Sequence, residues 1–123
     1  MKEKFFQCLQ PFLWIKMQNL LFICSRNQWR SPTAEKIYSK DPRVNVRSAG
    51  TSPRAKRTVN TKDLQWADLI FVMEYKHKDR LKAEYNRVLQ YKKIIVLDIP
   101  DDYLYMDEEL VEILEQSIEN YIE

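Results

Sequence analysis

The chain has 123 residues and a mass of 14.9 kDa, a length that builds one compact domain around one core and leaves little room for a second. Its 20 lysines and arginines against 18 aspartates and glutamates give a formal net charge of +2, too small for whole-molecule attraction to nucleic acid or to an anionic membrane. Two cysteines and a single histidine exclude a disulfide framework and a histidine-rich metal site, and no run of about 20 apolar residues is present to cross a bilayer.

Residues 1–16 precede the first well-patterned element. Their apolar stretch is interrupted by Gln7, Gln10 and Pro11 and is followed by no small-residue cleavage site, so it reads as an extension rather than a signal peptide. Met17 stands directly before the first strand and is an alternative start, which places the domain at 17–123. Cys8 falls in the extension and Cys24 in the domain; such sparse cysteine usage fits a reducing, cytoplasmic setting.

Residues 19–24 are continuously apolar after Asn19, the pattern of a strand buried on both faces of a parallel sheet. Polar residues follow to Arg30, and Ser31-Pro32 is expected to open a helix, with Ser31 as N-cap and Pro32 in the first turn. Ala34, Ile37 and Tyr38 give that helix a short apolar stripe, and Asp41-Pro42 stops it. Residues 44–48 form the expected second strand, with the chain turning away at Ala49-Gly50-Thr51. Gly50 is the only glycine, so its position is expected to need φ > 0 or a close backbone approach.

A polar, basic loop at 51–58 leads to a short helix capped by Asn60 or Thr61 over Leu64, Trp66 and Ala67. Residues 69–73 are a third continuous apolar run, ended by Glu74. Residues 76–84 read as a polar helix with Leu81 inward and His77 solvated. A fourth strand at 94–97 closes at Asp98, and Pro100 with the acids around it makes 99–105 a loop. From Asp107, apolar residues at Leu110, Ile113, Leu114, Ile118 and Tyr121 mark an amphipathic helix, with Asp107, Glu108 and Glu109 at its positive dipole end.

Strands alternating with helices specify a mostly parallel sheet with helices on both faces, a three-layer α/β/α sandwich with four strands. Ligands of such sheets sit at the carboxyl ends of the strands. Cys24, Ser48, Met73 and Asp98 each end an expected strand and so share one rim. The chain is also locally polarised: Arg47, Arg54, Lys56 and Arg57 carry positive charge without an intervening acid, whereas 98–123 is strongly acidic. A pair of solvated faces and a substrate-steering patch both account for this.

The segment from Cys24 to Ser31 carries the chemistry. A thiol reacts as thiolate, which a nearby cation or a helix N-terminus favours. If Ser25, Arg26, Asn27, Gln28 and Trp29 wrap with their N–H groups inward, they form an anion cradle at a helix start. Arg30 then adds a permanent charge with fork geometry, and Ser31 can give its hydroxyl hydrogen to the thiolate. Cys24 alone is equally read as a small buried core residue; buried strand, Cys24, Arg30, Ser31 and Pro32 together meet several requirements of an oxyanion site at once.

This segment resembles the phosphate-binding loop of the low-molecular-weight protein tyrosine phosphatase family, whose signature is cysteine, five residues, arginine, serine. Ser48-Ala49-Gly50-Thr51 resembles that family's second segment and residues 67–73 its third strand, so the likeness runs from Asn19 to the end. It implies a flavodoxin-like fold, Cys24 as nucleophile, Arg30 as phosphate clamp, Ser31 as thiolate partner, and Asn27 with Ser48 as hydrogen-bonded loop support. Two departures stand out. Arg26 replaces the family's usual loop glycine, and Trp29 occupies the place of a second, protective cysteine; Trp29 is then either an aromatic wall or core packing. The family's general acid is an aspartate directly followed by proline, whereas here Asp98 is followed by Ile99 and then Pro100. Asp98 is the favoured acid because it ends a strand, Asp101 is next, and Asp102 shares the loop. Tyr103 and Tyr105 either flank an aromatic substrate or anchor the loop.

The resemblance implies a phosphomonoesterase that needs no metal or cofactor, works through a phosphocysteine intermediate and takes phosphotyrosine or another aryl phosphate. No membrane partner is expected, and nucleic acid is the less favoured polyanion. Two other readings stay open. An oxyanion-binding module with little turnover would follow from the altered acid loop, and arsenate reduction would need more cysteines than Cys8 supplies.

Overall fold

The computed structural model describes residues 17–122; the expectations for 1–16, Cys8 among them, lie outside the described residues. The elements follow in the order β1 (Gln18–Cys24), α1 (Arg30–Tyr38), β2 (Val44–Gly50), α2 (Thr61–Trp66), β3 (Leu69–Val72), α3 (Tyr75–Tyr85), β4 (Lys93–Val96) and α4 (Glu108–Ile118), with a 3₁₀ turn at Glu119–Tyr121. All strand pairs are parallel and the order across the sheet is β2-β1-β3-β4. From β1 the chain goes outward to β2, then crosses back to β3 on the other side. The gap between β1 and β3 is therefore the switch point where such sheets open a crevice.

Alternation along β1 sorts its buried residues between two cores, because successive side chains of a strand point to opposite faces. Leu20, Phe22 and Cys24 pack with Ala34 and Tyr38 of α1 and with Leu110, Leu114 and Ile118 of α4. Leu21 and Ile23 pack with Leu64 of α2 and Leu81 of α3. Four fully buried residues from Leu20 to Ile23 explain the unbroken apolar run. Among the described residues no helix is long and apolar enough to cross a membrane.

Three expectations need correction. Ala49 and Gly50 do not turn away: they pair with Ile23 and Cys24 as the last rungs of β2, since both strands must run to the same rim before the chain can leave it. Ser31 is not the cap of α1. The helix starts at Arg30 behind Trp29, whose side chain caps nothing, and Thr33 instead returns both its N–H and its hydroxyl to the Trp29 carbonyl. His77 is not solvated; it is 1% exposed, because α3 turns that face onto the loop after β1. Asn60, by contrast, caps α2 as expected, in a reciprocal box with Asp63, and Asp107 caps α4.

Candidate active site

The loop between β1 and α1 is shaped from behind by residues that follow β2. Thr51, Ser52 and Lys56 donate their N–H groups to the carbonyls of Cys24, Ser25 and Arg26. In a trans peptide the carbonyl and the next N–H point in opposite directions. The N–H groups of Ser25, Arg26 and Asn27 are thus turned away from that backing segment, as an anion cradle requires. Gly50 makes the approach possible: a Cβ there would lie 2.5 Å from the Ser25 carbonyl oxygen and 2.5 Å from the Ala55 Cβ. Its φ is not positive, so close approach, not backbone freedom, is what the glycine supplies.

Within the loop the left-handed conformation falls on Asn27 (φ 54°), a residue type that tolerates it. Arg26 has no positive φ, and the loop accommodates a side chain where the family commonly has glycine. Arg26 is exposed at the cavity mouth.

Cys24 is a buried free thiol whose Sγ lies 3.0 Å from the Ser31 hydroxyl. Asn27 Nδ2 donates to Ser31 Oγ at 3.0 Å and to Ser48 Oγ at 2.9 Å. Ser48 in turn donates to Glu35 Oε1 at 2.5 Å. Arg30 is only 2% exposed; its Nη1 donates to Glu74 at 2.7 Å and to the Ile99 carbonyl at 2.8 Å. Burial pushes the Glu74 carboxyl up, but the Arg30 hydrogen bond and charge, with Lys76 and His77, more than reverse this and hold it below its ordinary value. On the other side, Asp101 Oδ1 sits 3.6 Å from Arg30 Nε.

His77 closes the remaining side. Its Nδ1 accepts the Glu74 N–H at 3.0 Å, so in the neutral ring the proton is on Nε2, which donates to Ser25 Oγ at 2.8 Å. Burial first, then the Arg30 charge, lower its pKa to about 4, so the ring is neutral near pH 7.

One cavity is lined by Cys24, Ser25, Arg26, Gln28, Trp29, Arg30 and Asp101. Beyond the ridge of Gln28 and Trp29 lies a wider one of about 420 Å³, lined also by Asn27, Pro32, Glu35, Ser48, Lys56 and Tyr105. Trp29, 37% exposed, is a wall of both and not core packing. Tyr103 packs on the core and donates to Glu109, whereas Tyr105 lines the wider cavity and not the one at Cys24. Asp98, favoured from its place after β4, is exposed with φ 59° and does not line the thiol cavity. Leu97 and Ile99 extend the β3 ladder on either side of it, and the turn between them places Asp98 outside. Asp101 is the acid that reaches the cavity.

Two of the four cations of the basic segment are committed to structure, while Lys56 lines the wider cavity. Arg47 and Arg57 both pair with Asp63, itself 1% exposed, and Arg47 lies 4.2 Å over the Trp66 ring. Glu35, Glu74 and His77 are site residues that sequence reasoning missed. Two had a signal: Glu74 stands two residues past the end of β3 on the site's rim, and Glu35 stands one helical turn after Ser31.

Solved structures of this architecture include Wzb from Vibrio vulnificus in complex with benzylphosphonate, at 22% identity and a TM-score of 0.69, covering 86% of this chain and 97% of that one. A low-molecular-weight protein tyrosine phosphatase from Streptococcus pyogenes matches at 19% identity and a TM-score of 0.70, over 85% of this chain and 91% of that one. The chain has the low-molecular-weight tyrosine phosphatase fold. YwlE arginine phosphatase from Geobacillus stearothermophilus shares it, at 22% identity and a TM-score of 0.67, over 85% of this chain and 92% of that one. No protein-family model and no curated protein matches the chain in sequence. At these identities the likeness extends to the fold, and the chemistry rests on the site's own residues.

Proposed function

We propose that the chain is a cysteine-dependent phosphomonoesterase of the tyrosine phosphatase type, with a phosphocysteine intermediate and an aryl phosphate, phosphotyrosine foremost, as substrate. The observation that carries this is a buried thiol at a strand end, 3.0 Å from a serine hydroxyl, in one cavity with an anchored arginine and a carboxyl group.

The phosphoryl group sits in the cradle, its oxygens met by loop N–H groups and by the Nε and Nη2 edge of Arg30, since Nη1 is engaged by Glu74 and Ile99. Cys24 thiolate attacks phosphorus, an S–P bond forms, and the bond to the leaving oxygen breaks as Asp101 gives that oxygen its proton. Water then attacks phosphorus, Asp101 takes the water's proton, and the thiolate leaves onto the Ser31 hydroxyl with release of inorganic phosphate. Transfer of this kind depends mainly on positioning and charge stabilisation, which the buried, fixed guanidinium supplies without reorganisation. The reducing, cytoplasmic setting expected from cysteine usage suits a nucleophile that works as free thiolate.

The test is a panel of aryl, alkyl, nucleotide and RNA-terminal phosphates, with phosphotyrosine and phosphoarginine peptides alongside and orthovanadate as inhibitor. Aryl phosphate turnover that Cys24→Ser abolishes while folding is retained supports the reading; turnover undiminished in that variant sinks it. Asp101→Asn is expected to slow a poor leaving group by ~10²–10⁴-fold, the usual contribution of general acid catalysis, and to flatten the pH profile, with Asp98→Asn close to wild type. The reverse ranking would return the acid role to Asp98.

A further inference from the structure

The hydrogen-bonded support of the loop ends in a carboxylate with no role in the proposed reaction. Glu35 lies on α1 one turn beyond Ser31 and accepts the Ser48 hydroxyl hydrogen at 2.5 Å. An ionised carboxylate can only accept. The one hydrogen of Ser48 is therefore committed to Glu35, and toward Asn27 its oxygen can only accept. Asn27 must then turn its amide nitrogen, not its oxygen, to Ser48 at 2.9 Å. The second hydrogen of that nitrogen goes to Ser31 Oγ at 3.0 Å, so Ser31 is an acceptor there too, and its own hydrogen is left for the Cys24 sulfur at 3.0 Å.

We propose that Glu35 is a positioning residue that sets the direction of every hydrogen bond in the chain Glu35–Ser48–Asn27–Ser31–Cys24 and thereby keeps a donor on the sulfur. The two ends of an asparagine amide are nearly isosteric, so packing alone does not choose between them. With the amide reversed, Oδ1 would draw the hydrogens of both serines, and the thiolate would face lone pairs. A negative charge at Glu35 forbids that arrangement by holding the Ser48 hydrogen.

The effect runs against simple electrostatics, which makes it testable. The charged groups near Glu35 are Lys56, Arg47 and Arg57, which line the cavities it faces; those lining the Cys24 cavity are Arg26, Arg30 and Asp101, with Glu74 held on Arg30 and the His77 ring on Ser25 behind them. Acting through space, removal of the Glu35 charge would favour the thiolate and speed its alkylation. Acting through the hydrogen-bond chain, removal costs the thiolate its donor and slows it.

The measurement is the rate of iodoacetamide alkylation of Cys24, followed on its peptide by mass spectrometry from pH 5 to 9, with folding monitored by circular dichroism. The inference bears on the proposed reaction, yet no substrate is needed, so a chain that hydrolyses no phosphate ester is read equally well. Glu35→Ala is expected to slow alkylation in the acid range about tenfold and to move the titration upward, the scale of one hydrogen bond to a charged group. Glu35→Gln, which can still present an oxygen to Ser48, restores most of the rate. Ser31→Ala shows the full effect, and adding Glu35→Ala to it changes nothing further. If Glu35→Ala does not fold, Ser48→Ala breaks the same link and is read the same way. Alkylation at or above the wild-type rate, or a loss that adds to that of Ser31→Ala, overturns the proposal.

Discussion

At Gly50 the missing side chain is what lets two segments of the site meet. The last rung of β2 lies against the Ser25 carbonyl and Ala55, each 2.5 Å from where a Cβ would stand. Gly50→Ala must push one of these backbones away, an overpacking cost of about 1–3 kcal/mol. Urea unfolding of this variant is expected to show a lower midpoint at an unchanged m-value. An unaltered midpoint would mean that the approach is looser than the geometry states. The sequence marked this position, since a chain with one glycine has a reason for it, but the two reasons open to a glycine could be told apart only once φ and the neighbours were known. Arg26 is the converse. It departs from the family pattern, yet the loop puts its left-handed residue at Asn27 and leaves Arg26 on ordinary backbone.

Among the elements, α2 is the one whose ends were most legible. Asn60 accepts from the Asp63 N–H, and Asp63 accepts from the Asn60 N–H, which satisfies two donors of a six-residue helix. So short a helix has little propagation to rely on. Asn60→Ala is expected to cost about 1 kcal/mol, seen as a fall in Tm of roughly 4 °C for a domain of this size. A smaller loss would show that Asp63 holds the turn through Arg47 and Arg57. Those two pairs also commit two of the four cations of the basic segment 47–57, Arg47 and Arg57, to Asp63. The two arginines neutralise a buried aspartate and Arg47 covers Trp66, contacts between elements that no count of lysines and arginines reveals.

For the molecule as a whole, one titration dominates a wide pH window. His77 is the only histidine, and its pKa is lowered from 6.5 to about 4 in the folded chain. The unfolded chain takes up a proton below pH 6.5 that the folded one refuses until about 4. The stability in question is fully present above 6.5 and is lost as the pH falls through that window, by roughly 3 kcal/mol. Carboxylates held low, such as Glu74 through Arg30, add their own loss only below the ordinary carboxylate range. Unfolding free energies between pH 7 and 5 should therefore slope downward, and His77→Gln should flatten that slope. An equal slope in the variant would show that His77 titrates freely.

Alternation and apolar runs determined the four strands, the helices between them and the rim where β1 ends at Cys24 and Met73 follows β3, because burial on two faces imposes its pattern residue by residue; the last two rungs of β2 beyond Ser48 were not legible in the pattern. The spacing of Cys24, Arg30 and Ser31 likewise followed from local chemistry, since a strand, a loop and a helix start are contiguous in the chain. What only the tertiary structure decided was which distant groups meet that loop. Glu74 and the Ile99 carbonyl fix Arg30, His77 lies beneath Ser25, and Glu35 anchors the support through Ser48, each across an interface between elements. Asp101 rather than Asp98 faces the thiol, because the β3 ladder continues on both sides of Asp98 and turns that side chain out; a one-dimensional pattern carries residue type and spacing, but not the direction in which a turn points its side chains.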